Sequence, residues 1–96
     1  MKAQTGQREA ATTDLNAAAR IFEGLVSKFK EIPGYRSYLG QTYAALGRLE
    51  SDPGKKAEFI RKAREHLEGA LRLSPENALD QKALVDLEAS AKNSMR

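Results

Sequence analysis

The side chain best suited to acid–base chemistry is the single histidine, His66. A catalytic histidine needs a nucleophile or a second acid within hydrogen-bond reach. On a helix such a partner lies three or four positions away, and Lys62 is the only polar residue at those positions. Glu65 and Glu68 form an ordinary surface pair by the same reasoning. We therefore expect His66 to be an exposed or boundary residue and the chain not to be an enzyme.

The residue types of the chain give no support for a metal site or a cofactor site. The chain has no cysteine, and one histidine without cysteine cannot build a zinc site of the usual Cys/His kind. The seven glycines are dispersed along the chain, whereas a phosphate-binding loop gathers its glycines in one short motif. We expect neither a cofactor nor a metal ion.

A row of basic residues in the second half of the chain could form a ridge for nucleic acid. Glutamates interrupt this row, and no aromatic platform accompanies it. Tyr35, Tyr38 and Tyr43 recur at helical spacing among apolar residues, which is typical of core positions with hydroxyls at the edge. The row therefore favours a solvated helix face, and nucleic-acid binding is not expected. The ridge consists of Lys55, Lys56, Arg61, Lys62 and Arg64, interrupted by Glu58, Glu65 and Glu68.

Length and composition indicate one all-α domain. Ninety-six residues suit a single core, and helix-forming Ala, Leu, Glu, Lys and Arg dominate while Val, Ile and Thr are few. No run approaches the roughly 18 apolar residues of a membrane span, and residues 1–13 lack the apolar core of a secretory signal. We expect a soluble protein with no membrane insertion, and the cytoplasm is the favoured compartment.

Prolines and capping residues divide the chain into four predicted helices. Pro33 and Pro53 are suited to the first turn of a helix, and Asp52 is a good N-cap. Ser74 and Pro75 repeat this signal for the last helix, whose acidic residues, Asp80 among them, we expect to face water. Apolar residues at steps of three and four support helices throughout. The predicted ranges are 13–31, 34–51, 53–73 and 75–92, preceded by a flexible tail, 1–12, that contains Gly6.

The second predicted helix organises the rest of the chain. Gly40, Tyr43 and Gly47 lie close to one line on this helix. A line of glycine, aromatic residue and glycine predicts that a second helix approaches more closely than the usual interaxial distance of about 8–10 Å. We therefore expect close antiparallel helix pairs.

These positions carry a resemblance to the tetratricopeptide repeat family. The second helix resembles the first helix of such a repeat, and the third resembles its second helix with a closing proline. The register continues outward, because Ala18, Phe22 and Leu25 fall where a preceding second helix is expected, and Leu84 where the next first helix is expected. The resemblance covers about residues 14–92 and implies a TPR-like domain over 13–93, in a right-handed α–α superhelix. The matching residues are Leu39, Gly40, Tyr43 and Gly47, then Ala63, Leu67, Ala70 and Pro75.

The chain departs from the family pattern at three places. Gly47 and Ala63 are 16 positions apart where the family usually has five, which amounts to an insertion of 11 residues. Because 11 helical residues come within about 20° of three whole turns, we expect a longer helical hairpin rather than a broken one. Val85 and Glu88 replace the small and aromatic residues of the last helix, as expected for a terminal helix with a solvated face. The leading half-repeat ends at Lys30 where a proline is usual.

The resemblance implies a non-catalytic protein-interaction module that holds a protein or peptide segment in a groove lined by first helices. Small residues leave room for a ligand backbone, while Gln41, Arg48 and Lys82 offer hydrogen bonds or a carboxylate contact. Ser37 and Gln41 stand where the carboxylate-clamp members carry their Lys, Asn and Arg set, so binding of chaperone tails is not expected. The candidate partner-binding residues are Ser37, Gln41, Ala44, Arg48, Lys82 and Asp86.

Self-association is the alternative function. One full repeat with two flanking helices is fewer than the roughly three repeats that usually make a stable array, so the apolar flanks of the first and last helices could bury one another in a homo-oligomer. In that case Leu15, Phe22, Leu84 or Leu87 would be shielded only between protomers.

Overall fold

The computed structural model describes residues 2–94, with side chains described for residues 6–89. Over this part of the chain it contains four helices and no strand: α1 (Lys2–Lys28), α2 (Pro33–Leu49), α3 (Pro53–Leu73) and α4 (Ala78–Ser94). The predicted all-α fold is confirmed.

The helices form an open row rather than a closed bundle. The central helix α2 packs against α1 on one side and α3 on the other, while α4 packs mainly on α3 and touches α2. Among the described residues, the backbone of α1 approaches that of α2 and of no other helix. The resulting shape is elongated, with extents of 43 × 30 × 21 Å.

The first helix begins much earlier than the sequence pattern predicted. α1 starts at Lys2, so the predicted start near Thr13 is wrong and residues 2–12 of the predicted tail are helical. Gly6 does not end the helix, because one glycine in an exposed helix costs only about 1 kcal/mol and most of its neighbours are good helix formers. α1 also ends at Lys28, before the predicted Glu31.

The next two helix starts follow the predicted signals. Pro33 and Pro53 each occupy the first turn of their helix. The Asp52 carboxylate accepts a hydrogen bond from the Lys55 N–H at 2.9 Å, as an N-cap should.

The start of α4 differs from the prediction. The Ser74 N–H donates to the Ala70 carbonyl at 2.8 Å, so Ser74 ends α3 instead of beginning α4, and Pro75 lies in the turn that follows. Asn77 is the N-cap, because its side-chain oxygen accepts from the Asp80 N–H at 3.2 Å. Asn77, three residues after Ser74, makes the cap hydrogen bond and so marks where α4 begins.

The core lies along the crossing of α2 and α3. Leu39, Leu46 and Leu67 are fully buried there. A Cβ placed on Gly40 would lie 2.7 Å from Leu67 Cγ and 3.2 Å from the Ala63 carbonyl oxygen, whereas one on Gly47 would meet nothing closer than 3.4 Å. The predicted close approach is therefore confirmed at Gly40, while the contact at Gly47 is of ordinary length.

Candidate functional site

A groove with a volume of about 580 Å³ opens between α2, α3 and α4. Pockets of about 300–1,000 Å³ are the usual size for ligand sites. Its position follows from the row of helices, because α4 crosses α3 and reaches α2 without covering its full length. The lining residues are Gln41, Ala44, Gly47, Arg48, Lys56, Ile60, Leu79, Lys82, Ala83, Asp86 and Leu87.

Five of the six residues predicted for a partner site line this groove. Gln41, Ala44 and Arg48 come from α2, while Lys82 and Asp86 come from α4. Steps of three and four place each set on one face of its helix, and the packing of α4 brings the two faces opposite each other. Ala44 is buried in the floor, and the other four side chains are exposed.

Ser37, the sixth residue, does not line the groove. It is buried, and its hydroxyl donates to Asp80 Oδ1 at 2.5 Å. The predicted open strip on α2 is therefore wrong at this position, because the first turn of α4 covers it.

Asp80 is the residue that covers Ser37, and its predicted exposure to water is wrong. Its side chain is 0% exposed. Its second carboxylate oxygen accepts no hydrogen bond from any described residue. A signal was present in the sequence, because Asp80 stands three residues before Ala83 and seven before Leu87, on the same helical stripe as the apolar contacts of α4.

A chain of hydrogen bonds joins this buried pair to the groove. The Gln41 side-chain amide donates from Nε2 to Ser37 Oγ at 3.1 Å, and Ser37 donates onward to Asp80. Gln41 therefore lines the groove, while the Ser37 hydroxyl that holds its amide group lies outside the lining.

The groove combines an apolar floor with a cationic rim. The floor includes Ile60 and Leu87, both buried. Three lining side chains are basic and one is acidic, and none of the four forms an ion pair with another described side chain. The charged residues are Arg48, Lys56, Lys82 and Asp86.

Lys56 and Ile60 from α3 are groove residues that the sequence reasoning did not identify. They lie one helical turn apart within the predicted 11-residue insertion, and both are near Gly47. A Cβ placed on Gly47 would lie 3.4 Å from Ile60 Cγ1 and 3.8 Å from the Lys56 carbonyl oxygen. The extra length of α3 therefore supplies one wall of the groove. Only the pairing of α3 with α2 reveals this.

His66 belongs to an aromatic stack between α2 and α3. Its ring lies 5.8 Å from that of Tyr43, and Lys62 Nζ lies 5.4 Å from the same ring. The Tyr43 hydroxyl donates to Glu23 of α1. Burial lowers the pKa of His66, and the Arg36 guanidinium lowers it further. Burial raises the pKa of Tyr43, as does its hydrogen bond to Glu23.

This stack has the features of a structural contact. His66 makes no hydrogen bond within the described residues, so no partner aligns it for proton transfer. The stack instead joins three helices through one tyrosine. The sequence predicted an exposed or boundary position for His66, and the ring is partly buried. Tyr43 and Glu23 could not be identified as its neighbours because both are distant in the chain.

The predicted basic ridge is divided among several contacts. Arg61 pairs with Glu58 at 2.5 Å and with Glu65 at 2.7 Å. Lys62 lies over Tyr43, and Lys56 belongs to the groove. The ridge therefore does not present one uninterrupted cationic surface.

Comparisons with protein-family models, curated proteins and solved structures find no match to this chain. Over the described residues, no helix is both long enough and apolar enough to cross a bilayer, and no group of three His, Asp or Glu side chains is arranged to hold a metal ion.

Proposed function

We propose that the chain is a protein-interaction module that binds a short extended segment of a partner protein in the groove between α2, α3 and α4. The groove itself carries this proposal, because it joins an apolar floor to a polar rim at a point where three helices meet. Both features are usual in peptide-binding sites, in which buried apolar contacts give affinity and a few polar groups give orientation.

The charges favour an acidic segment. Among the described lining residues, Arg48, Lys56 and Lys82 outnumber the single carboxylate of Asp86, so an anionic ligand gains attraction at the rim. An aliphatic side chain of the same segment would contact Ile60 and Leu87. The preferred ligand is therefore a short sequence that combines acidic and small aliphatic residues.

The resemblance to the tetratricopeptide repeat supports the same function. The glycine position that the resemblance places at a close helix crossing, Gly40, lies against Leu67 and Ala63. In that family the partner segment occupies a groove lined by first helices, which here correspond to α2 and α4. A right-handed superhelical arrangement of the four helices is part of this proposal.

The test is a binding experiment with the full chain labelled with ¹⁵N. Two pools of peptides of about eight residues, a length suited to a groove of this kind, are added separately: one of Asp, Glu, Ala, Val, Leu and Gly, the other with Lys and Arg in place of the acids. Both pools have blocked ends. The acidic pool is expected to shift the amide resonances of the groove residues.

Charge-reversed variants locate the site. Arg48→Glu combined with Lys82→Glu is expected to weaken binding of the acidic pool by about tenfold, because each substitution replaces an attraction with a repulsion. Arg20→Glu on the exposed surface of α1 is the matched control. If neither pool shifts the groove resonances, or if Arg20→Glu weakens binding as much as the double variant, the proposal is wrong.

Self-association is a second candidate, favoured by exposed apolar residues in α1 and immediately after its end. Ile21 is 64% exposed and Phe29 is 48% exposed, although both are large apolar residues. Leu87, by contrast, is 4% exposed within a single chain, so it needs no second protomer. Light scattering over a concentration series tests this candidate: a dimer that Ile21→Glu dissociates would support it, and a monomer at every concentration would exclude it.

A further inference from the structure

We infer that the buried Asp80 is a positioning residue: through Ser37 it turns the Gln41 side chain so that the amide oxygen is presented to the groove, where it accepts a hydrogen bond from a backbone N–H of the bound segment. The orientation of the Gln41 amide is a property of the protein without any ligand. Its use in recognition rests on the proposed function.

The direction of the hydrogen bonds follows from the types of group. A carboxylate has acceptor oxygens and no donor, so the single hydroxyl proton of Ser37 is committed to Asp80. The Ser37 oxygen can then only accept from Gln41, and it does so from Nε2 at 3.1 Å. Because the oxygen and nitrogen of an amide occupy opposite corners, Gln41 Oε1 is turned away from Ser37. It accepts no hydrogen bond from any described residue.

Thr42, on the same helix, shows what a hydroxyl does without such a partner. Its Oγ1 donates to the Tyr38 carbonyl one turn earlier, at 2.7 Å, which is the usual behaviour of a helical hydroxyl. Ser37 departs from this behaviour because its hydroxyl donates its hydrogen bond to Asp80 instead. Without Asp80, the hydroxyl could turn back to its own helix, and the Gln41 amide would lose its fixed direction.

Stability alone does not account for Asp80. The side chain is fully buried, and one of its oxygens is unpaired within the described residues. Burying an acceptor without a donor destabilises the folded state. A residue that carries this cost while orienting a groove side chain fits a role in recognition.

The consequence for specificity is a preference for main-chain donors. An extended segment presents backbone N–H groups at regular intervals, and Gln41 Oε1 would accept one of them beside the cationic rim. A segment with proline at that point lacks the donor. The groove is thus expected to discriminate against a proline at one position of its ligand.

The orientation is tested first without any ligand. In the ¹⁵N-labelled full chain, one side-chain amide proton of Gln41 is expected to exchange slowly with solvent, because it is bonded to Ser37. Asp80→Leu keeps a similar volume but has no acceptor, which leaves the Ser37 hydroxyl without its partner. This variant and Ser37→Ala should both abolish the slow exchange. Equal exchange in the wild type and both variants would overturn the inference.

Thr42→Val is the matched control, because it removes a hydroxyl that bonds only its own helix. It should leave the Gln41 amide unchanged. If Asp80→Leu or Ser37→Ala fails to fold, as judged by circular dichroism, the wild-type measurement still decides: a Gln41 amide that exchanges as fast as an exposed glutamine refutes the proposed orientation.

Binding separates this inference from the proposed function. With the acidic peptide pool, Asp80→Leu is expected to weaken binding about fivefold, the effect of one hydrogen bond, while Thr42→Val has no effect. If the pool binds the groove of both proteins equally, the inference fails and the proposed function stands. If no peptide binds the wild type, the proposed function fails, and the recognition role of Gln41 fails with it.

Discussion

Replacing Gly40 by alanine is expected to destabilise the protein, although alanine is the better helix former. A Cβ at this position would lie 2.7 Å from Leu67 Cγ and 2.9 Å from Leu67 Cδ2, whereas carbon atoms prefer separations of about 3.5–4.0 Å. Leu67 is 0% exposed and has no room to move outward. The Ala63 carbonyl oxygen, 3.2 Å away on α3, is part of the backbone and is equally fixed.

The magnitude follows from two opposing effects. Alanine gains about 1 kcal/mol over glycine in a helix interior, while overpacking a core costs about 1–3 kcal/mol. The short contacts to a buried side chain and a backbone atom place Gly40→Ala at the upper end of that cost. We expect a net loss of about 2 kcal/mol in the free energy of unfolding.

Two other glycines of the chain provide controls. A Cβ on Gly24 would have no neighbour within 4 Å among the described residues, and one on Gly47 would lie 3.4 Å from Ile60 Cγ1. Gly24→Ala should therefore stabilise the protein by up to about 1 kcal/mol through helix propensity alone. Gly47→Ala should fall between the two, because its contact is of ordinary length.

The assay is urea unfolding followed by circular dichroism for the wild type and the three variants. A loss of about 2 kcal/mol corresponds to a fall in Tm of roughly 10 °C for a domain of this size. Leu67→Ala should remove most of the cost of Gly40→Ala, because it frees the space that the new methyl group needs. A Gly40→Ala variant as stable as Gly24→Ala would refute the close-packing argument.

Three further predictions concern the cap of α4 and the stack on Tyr43. Asn77→Ala should cost about 1 kcal/mol in urea unfolding by removing the N-cap, whereas Ser74→Ala, at the position that the sequence favoured, should change stability by less than about 0.3 kcal/mol. The pKa of His66 is lowered in the folded state, so the unfolded chain binds a proton first as the pH falls below about 6.5, and the free energy of unfolding should decrease below that pH. His66→Phe should remove this pH dependence. A wild-type stability that does not change with pH in this range would contradict the prediction. The pKa of Tyr43 is raised from 10.0, so stability should decrease as the pH rises above 10.0, and Tyr43→Phe should abolish the decrease measured in the same unfolding assay.

The sequence determined the helical class and most of the helix boundaries, because these depend on local interactions. Pro33 and Pro53 begin helices because the fixed φ of proline suits the first turn, with a side-chain cap at Asp52 but none at Ile32. The apolar steps of three and four identify the buried face of each helix. The close approach at Gly40 was also predictable, because only a missing side chain permits it. Five groove residues followed from the resemblance to the tetratricopeptide repeat, which implies a groove lined by first helices.

The errors arose where a choice depended on a neighbouring helix or on competing local signals. Gly6 favours a frayed tail when it is considered alone, but good helix formers on both sides carry α1 through it. Ser74 and Pro75 form a plausible start signal, yet Asn77 provides the cap. The charge of Asp80 predicts exposure to water, although its spacing from Leu87 places it on the buried stripe of α4.

The sequence by itself determined which residues share a face of each helix, since a periodicity of 3.6 residues is a property of the backbone. Only the tertiary structure decided which faces meet. The packing of α4 over the start of α2 buries Ser37 against Asp80 and leaves Gln41 at the edge of the groove, while the length of α3 adds Lys56 and Ile60. These contacts join residues far apart in the chain, and their geometry is set by helix packing that no local pattern encodes.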